Sequence, residues 1–347
     1  MRLTRVIGIC SGGLAAGFAG AVLGATQTGA NAAAPAAHAR SAGQAASAQG
    51  PGAALQAQYV AVVRRVTPSV VQVESSGGLG SGVVFDDAGH IVTNAHVVGS
   101  QNQFTVTLAN GRRHQARLVG SFPAGDLAVV KVDVGGLRPL PLASSSKLRV
   151  GHIVLALGSP LGLQSSVTEG IVSARRTVTE PDGATIPLAV QTSAPINPGN
   201  SGGALVDLRG RLVGIPTLVA GSSIGGQAAG IGFAIPSDTV RDIASQLVRY
   251  GRVVNSHRPF LGVQVSDTVE GDGVYVAEVN PGGPAARAGI RTGDIITAIA
   301  GKETRTTSDL SAVLAAFRPG QTVRVALRRA SGGVATVQVT LGEFPGS

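Results

Sequence analysis

Sulfur-containing side chains are almost missing from this chain of 347 residues. It has one cysteine, Cys10, and one methionine, Met1, and it has no tryptophan. Both sulfur residues fall within the first 39 residues. A chain without that segment has no thiol to form a disulfide and no sulfur side chain to oxidise. The composition therefore excludes a disulfide scaffold and suits an oxidising, extracytoplasmic setting.

Aromatic and charged side chains are also scarce, at 3% and 14% of the sequence. The net charge of +9 would attract polyanions such as nucleic acids. However, the arginines are scattered, and the few aromatic residues offer no platform on which bases could stack. We therefore predict that nucleic acid is not a partner of this protein.

The first 39 residues have the features of an export signal. Arg2 and Arg5 precede an apolar run over residues 6–23, and a tract of small residues follows. We predict that the segment is cleaved and that the mature chain is secreted or periplasm-like. If the segment stays attached, it would tether the chain to a membrane. Residues 40–54 are mostly small or polar, which predicts a flexible spacer.

Glycine and short apolar runs are what the chain has in abundance. Its 50 glycines and 18 prolines, together with many valines, favour short strands joined by tight turns. Six strand-like runs lie within residues 70–132 and six more within residues 153–234, which predicts two six-stranded barrels. A helix over residues 55–66 would precede them, and a helix over residues 237–250 would follow them with Ser237 as its N-cap.

Three polar residues lie at the ends of such runs: His96 in TNAHVV, Asp126 in GDLAVV and Ser201 in GNSGG. A serine hydroxyl attacks a peptide bond only when a base takes its proton and a carboxylate orients that base. The order His, Asp, Ser along the chain is that of chymotrypsin-like double β-barrels. Each residue alone could be structural, but together they predict a serine protease domain over residues 55–254. We expect neither a cofactor nor a metal.

Residues 255–345 follow a second pattern. The run Phe260-Leu261-Gly262-Val263 precedes strand-like runs, glycine-rich turns and a helix predicted over residues 308–317. This order is similar to that of a PDZ domain, in which such a loop offers backbone N–H groups to the C-terminal carboxylate of a peptide. Leu310 and Leu314 would line the peptide groove or, equally, pack in the domain core.

Together these features resemble the HtrA (Deg) family of ATP-independent trypsin-like proteases with a C-terminal PDZ domain. The likeness covers residues 55–345 and includes GSGVV from Gly80, GSPLG from Gly158 and GIGFAIP from Gly230. It implies a mainly β fold, in which a double-barrel protease domain is followed by a PDZ domain. It also implies endoproteolysis of unfolded or damaged proteins, capture of apolar peptide C-termini and assembly as a homotrimer.

The turn that carries the serine is expected to bind the oxygen of the substrate. The backbone N–H groups of Gly199 and Ser201 would form the oxyanion hole, with Asn200 setting the turn between them. Digestive trypsin-like enzymes have an aspartate in place of Asn200 and pair it with a freed N-terminus. An asparagine cannot form that ion pair, so activation by N-terminal clipping is not expected.

The specificity pocket is expected to be apolar. Trypsins place an acidic residue six positions before the nucleophile, where this chain has Pro195. By resemblance to the family, Ile196 and Val219 would take part in the pocket. Arg175 and Arg176 are expected at the start of a polar loop that senses the PDZ domain, although a solvated basic turn would have the same sequence.

A binding protein is the alternative hypothesis. The chain could be a chaperone or a PDZ adaptor whose protease fold has little activity. The complete trio of His96, Asp126 and Ser201 argues against this alternative, because a chain released from catalysis has no physical reason to keep all three groups.

Overall fold

The computed structural model describes residues 50–76, 78–159, 166–179, 184–197, 199–217 and 230–345. The predicted export segment and most of the predicted spacer lie outside these residues. Among the helices of the described residues, none is long and apolar enough to cross a membrane. The first helix, α1 (Pro51–Val66), begins at residue 51 rather than at residue 55. Proline suits the first helical turn, so residues 51–54 are helical and not part of a spacer.

The first barrel is closed by six antiparallel strands in the order β1-β2-β3-β6-β5-β4. Its interior is filled by β-branched side chains that are fully buried, among them Val73, Ile91 and Val130. A Cβ on Gly82 would lie 2.6 Å from Cγ2 of Ile91, so the close packing of this interior requires glycine there. The strands are β1 (Val70–Ser75), β2 (Gly78–Val84), β3 (His90–Thr93), β4 (Gln103–Thr107), β5 (Arg113–Phe122) and β6 (Leu127–Val132).

The second barrel has the same number of strands, and its order is β10-β11-β12-β9-β8-β7. All twelve predicted strand-like runs coincide with strands, which confirms the double barrel. Apolar runs separated by turn residues predict these strands, because each barrel buries one face of every strand. The strands are β7 (Ile153–Gly158), β8 (Ser166–Thr179), β9 (Thr185–Thr192), β10 (Ala204–Asp207), β11 (Leu212–Thr217) and β12 (Gly232–Pro236).

A long helix, α3 (Ser237–Tyr250), packs its buried face, which includes Val240, Ile243 and Leu247, across strands of both barrels. The prediction that Ser237 is its N-cap is wrong. Pro236 occupies that position, and Ser237 is the first helical residue. The Ser237 side chain is buried, and its hydroxyl donates to the carbonyl oxygen of Ala143 at 2.8 Å instead of accepting from the helix.

The C-terminal part of the chain is a PDZ domain built around a sheet of strands β14-β15-β16-β18-β19, with β17 paired to β16 and β13 paired to β20. Its helix α5 (Thr307–Leu314) ends three residues before the predicted end, because the last residues form i→i+3 turns. The elements are β13 (Pro259–Phe260), β14 (Val263–Asp267), β15 (Val274–Val279), α4 (Pro284–Arg287), β16 (Ile295–Ile299), β17 (Lys302–Glu303), α5, β18 (Thr322–Arg328), β19 (Val334–Thr340) and β20 (Gly342–Glu343).

The PDZ domain meets the first barrel through an aromatic seam. The ring of Phe344 packs edge-on against Phe122, at 6.4 Å between centroids, and against Phe260, at 5.7 Å. The guanidinium of Arg258 lies over Phe122 and Phe344 and donates to the carbonyl oxygen of Ala124. Burial lowers the pKa of Arg258 to about 10, so the side chain is still charged at neutral pH.

Candidate active site

Asp126 occupies a buried position directly before β6. It follows the 3-10 turn Pro123–Gly125, and its own backbone is left-handed, with φ of 52°. Its carboxylate, only 1% exposed, accepts from the backbone N–H of His96 at 3.0 Å, from Nδ1 of His96 at 3.0 Å and from Oγ1 of Thr217 at 2.8 Å. These donors replace the water that an ionised carboxylate loses on burial.

His96 lies on the single-turn helix α2 (Ala95–Val98), directly after β3. A carboxylate can only accept hydrogen bonds, so the Nδ1 atom next to Asp126 carries a proton. In the neutral imidazole, Nε2 is then the ring nitrogen with a lone pair. The side chain is one-third exposed, at 33%, so the imidazole stays accessible to solvent.

Ser201 lies between β9 and β10 in a turn built from glycines. Gly199 and Gly202 have φ of +101° and +79°, which residues with a Cβ rarely adopt. A Cβ on Gly202 would come within 2.1 Å of the carbonyl oxygen of Ser81, so the turn packs backbone to backbone against the first barrel. Ser201 is 3% exposed, and its Oγ has no hydrogen-bond partner in the described part of the chain.

Two contacts place this turn beside the buried acid. The N–H of Gly202 donates to the carbonyl oxygen of Pro216 at 3.0 Å. The next residue, Thr217, donates to the carboxylate of Asp126. The structure thus brings the serine turn, the aspartate and the histidine together between the two barrels, although they are far apart in sequence.

The predicted oxyanion-hole residues are held through their carbonyl groups. The carbonyl oxygen of Gly199 accepts from Oγ of Ser81 at 2.5 Å, and that of Ser201 accepts from the backbone N–H of Ser81 at 2.8 Å. The backbone N–H of Asn200 donates to the carbonyl oxygen of Asn197 at 3.0 Å, which closes the turn. Both proposed donor groups therefore belong to a well-fixed backbone.

Two of the three predicted pocket residues, Pro195 and Ile196, lie in the described part of the chain. Pro195 is exposed, and its carbonyl oxygen accepts from Oγ1 of Thr168 at 2.8 Å. Ile196 is 3% exposed and belongs to the apolar core of the second barrel, where a Cβ on Gly232 would contact it at 2.6 Å. Val219 lies outside the described residues.

The predicted carboxylate-binding loop of the PDZ domain borders a groove of about 270 Å³. Gly262 has φ of +80°, and the carbonyl oxygens of Leu261 and Gly262 accept from the N–H groups of Ala285 and Asn280. Leu310 belongs to the domain core and also borders the groove, so both interpretations of this residue hold. The apolar lining of the groove includes Phe260, Val263, Val265, Leu310 and Leu314.

The protease domain also lines this groove, through Ala124, Thr185 and Pro187. The expectation that Arg175 and Arg176 begin a loop is wrong, because β8 continues through both residues to Thr179 and pairs with β9. Their charge predicts a loop, but within the strand Arg176 is exposed and Arg175 is only half-buried.

Sequence reasoning missed two residues that hold the site together, Thr217 and Ser81. They bind groups that lie 91 and 118 positions away along the chain. No local pattern marks a hydroxyl that binds a distant carbonyl or carboxylate, so only the closed barrels reveal them.

Comparison with known families agrees with this architecture. The trypsin-like peptidase domain matches residues 80–215, and the PDZ domain matches residues 259–341. The fold and the site therefore define a trypsin-like peptidase followed by a PDZ domain.

Individual relatives support a narrower assignment. The serine endoprotease DegS of Escherichia coli (strain K12) is 39% identical over 311 residues, which cover 83% of this chain and 87% of DegS. The serine protease PepD of Mycobacterium tuberculosis is 41% identical over 308 residues, or 81% of this chain, and the match spans 65% of the length of PepD. The solved HtrA-type protease AlgW with a decapeptide is 33% identical, with a TM-score of 0.59 over 83% of this chain and 99% of that one. The chain belongs to the HtrA-type family of serine endoproteases.

Proposed function

We propose that Ser201, His96 and Asp126 form the catalytic triad of this endoprotease. The observation that carries the proposal is the binding of the buried Asp126 carboxylate by both N–H groups of His96 and by Thr217. An acid held in this way fixes the tautomer of the histidine and stabilises the imidazolium that forms during reaction.

The reaction would proceed through an acyl-enzyme. Oγ of Ser201 attacks the peptide carbonyl carbon while its proton passes to Nε2 of His96. The C–N bond then breaks, the imidazolium gives that proton to the leaving amine, and the acyl group stays on Ser201. Water, deprotonated by His96, releases the acid by the same route. The N–H groups of Gly199 and Ser201 would stabilise the oxyanion, with Asn200 in the turn between them.

A two-part experiment tests the triad. The full chain should label with a fluorophosphonate and digest fluorescein-labelled casein. Ser201→Ala should lose both activities, with turnover reduced on the order of a millionfold, because the attacking hydroxyl is removed. The fold should stay intact, because nothing else is removed. Casein digestion that persists in the purified variant would refute the assignment.

The substrate pocket is proposed to take small apolar side chains. This rests on Pro195, which leaves no carboxylate where trypsins bind Arg or Lys, and on the apolar residues Ile196 and Val219 of the family's pocket positions. Cleavage of casein should therefore follow Val, Ile or Ala. Mass spectrometry of the fragments decides this, and a majority of cuts after Arg or Lys would contradict it.

The PDZ domain is proposed to bind apolar peptide C-termini at residues 260–263, with β14 as the edge strand that the peptide extends. The apolar groove beside this loop supports the proposal. A peptide with a free carboxylate should bind and change the rate of casein digestion, and its amidated form should not. Equal effects of the two peptides would count against carboxylate capture.

The setting is proposed from the sequence and the family together. The export-type segment over residues 1–39 supports an extracytoplasmic enzyme that removes unfolded or damaged proteins, with a membrane tether if the segment is retained. The family resemblance implies a homotrimer through the N-terminal part of the protease domain, where α1 leaves Leu55 and Val60 exposed. Light scattering on the purified chain would test the assembly.

A further inference from the structure

Ser81, on β2 of the first barrel, joins the two barrels at the serine turn. The residue is fully buried, with 0% exposure. Its hydroxyl donates to the carbonyl oxygen of Gly199 at 2.5 Å and accepts from the N–H of Ser159 at 2.7 Å. Its backbone N–H donates to the carbonyl oxygen of Ser201 at 2.8 Å. One residue of the first barrel therefore binds three backbone groups of the second.

These contacts involve the same two residues as the proposed oxyanion hole. The two proposed donors are the N–H groups of Gly199 and Ser201, and the two carbonyls that Ser81 binds belong to the same two residues. With the carbonyl of Gly199 fixed, the direction of its N–H depends on the backbone torsions of one residue. Glycine at φ of +101° has no Cβ to restrict those torsions, so the restraint has to come from outside.

The polar side chains of the turn itself do not supply that restraint. Within the described residues, Nδ2 of Asn200 is buried and has no hydrogen-bond partner, and neither has Oγ of Ser201. The turn is therefore held by its backbone contacts, and the Ser81 hydroxyl is the side-chain group that binds the carbonyl of Gly199. The same hydroxyl also binds Ser159, so its direction is fixed from the other side.

We propose that Ser81 is a positioning residue for the oxyanion hole: its hydroxyl holds the Gly199 carbonyl away from the cleft and so keeps the N–H groups of Gly199 and Ser201 aimed at the substrate oxygen. The inference rests on the proposed triad and extends it to the first barrel. Ser81 does not touch the substrate. It acts through the backbone of the turn, so its loss should slow the chemical step and leave substrate binding intact.

The test compares Ser81→Ala with Ser145→Ala in the full chain. Ser145 is an equally buried serine, at 1% exposure, whose hydroxyl also makes two hydrogen bonds, both with Asp238 and away from the serine turn. For Ser81→Ala, kcat for fluorescein-casein should fall about tenfold to a hundredfold with KM within about twofold. The rate of fluorophosphonate labelling should fall by a similar factor, because the phosphoryl oxygen occupies the same hole. Ser145→Ala should change neither rate.

Further readouts separate positioning from general damage. The pH dependence of kcat should keep its inflection in Ser81→Ala, because the contacts between His96 and Asp126 are untouched, and both serine variants should melt at similar temperatures. Ser81→Cys, which keeps a weak donor, should be intermediate in rate. A kcat within twofold of wild type, a loss of kcat with unchanged labelling, or a shifted pH inflection would each overturn the proposal. Because Ser201→Ala separately tests the triad, a dead Ser201→Ala beside a fully active Ser81→Ala refutes this inference alone.

Discussion

The carboxylate of Asp126, in the first barrel, is bound by His96 of the same barrel and by Thr217 of the second barrel, whereas the hydroxyl of Ser201 has no partner within the described residues. The acid is fixed by side-chain hydrogen bonds to its functional group. The serine is fixed by its backbone, through the carbonyl contacts with Ser81 and the glycine conformations on either side of it.

This difference fits the chemistry that we propose for each group. A carboxylate that stays ionised throughout the reaction gains from every donor that binds it. A nucleophile has to exchange its proton and form a new bond, so permanent partners on its oxygen would compete with the reaction. We therefore expect the acid half of the site, Asp126 with His96 and Thr217, to lose activity when its hydrogen bonds are lost. The nucleophile half, Ser201 with its turn, should lose activity when the backbone geometry of the turn changes.

Among the changes around the nucleophile, the largest effect should come from the substitution of Asp126. Asp126→Asn keeps the shape of the side chain but offers an amide, which favours the wrong tautomer of His96. Turnover of casein should fall about ten-thousandfold, short of the loss in Ser201→Ala. Initial rates measured beside circular-dichroism melting curves check this. Activity within tenfold of wild type in the folded variant would show that Asp126 does not orient the base.

A smaller but still large effect should come from the backbone of the nucleophile half. In Gly202→Ala, the new Cβ would lie 2.1 Å from the carbonyl oxygen of Ser81, at a φ of +79°. Something has to shift, so casein turnover should fall by about a hundredfold or more, with a loss of stability of about 1–3 kcal/mol.

Gly210→Ala is the matched control for that variant. Gly210 has a similar φ of +70°, but its added Cβ would meet only side-chain atoms of Arg65 and Val66, at 3.3 Å or more. Gly210→Ala should lose stability through backbone strain but keep its casein turnover. Equal turnover losses in the two variants would mean that φ, and not the contact with Ser81, decides the result.

The same contrast explains what could be predicted from the sequence. Strands, barrels and the candidate triad are marked locally, by apolar runs and by polar residues at their ends, and the assignment of the triad stays a prediction. Thr217 and Ser81 carry no such mark, because their partners are brought to them only when the barrels close. The prediction for Ser237 is wrong for a related reason: its hydroxyl donates to the carbonyl oxygen of Ala143, a tertiary partner that competes with capping.

The smallest effect should come from Arg258. Its guanidinium donates to the carbonyl oxygen of Ala124, two residues before Asp126. At neutral pH, Arg258→Met should change stability little, because the lost hydrogen bond is offset by the removal of a buried charge.

The pH dependence of stability should differ more clearly between wild type and Arg258→Met. Burial lowers the pKa of Arg258 to about 10, well below its ordinary value, so above pH 10 the folded state releases a proton that the unfolded state keeps. Wild type should therefore gain about 1 kcal/mol relative to Arg258→Met between pH 9 and pH 11. Urea unfolding of both proteins across this range measures the difference, and parallel curves would mean that the guanidinium is not desolvated in the seam.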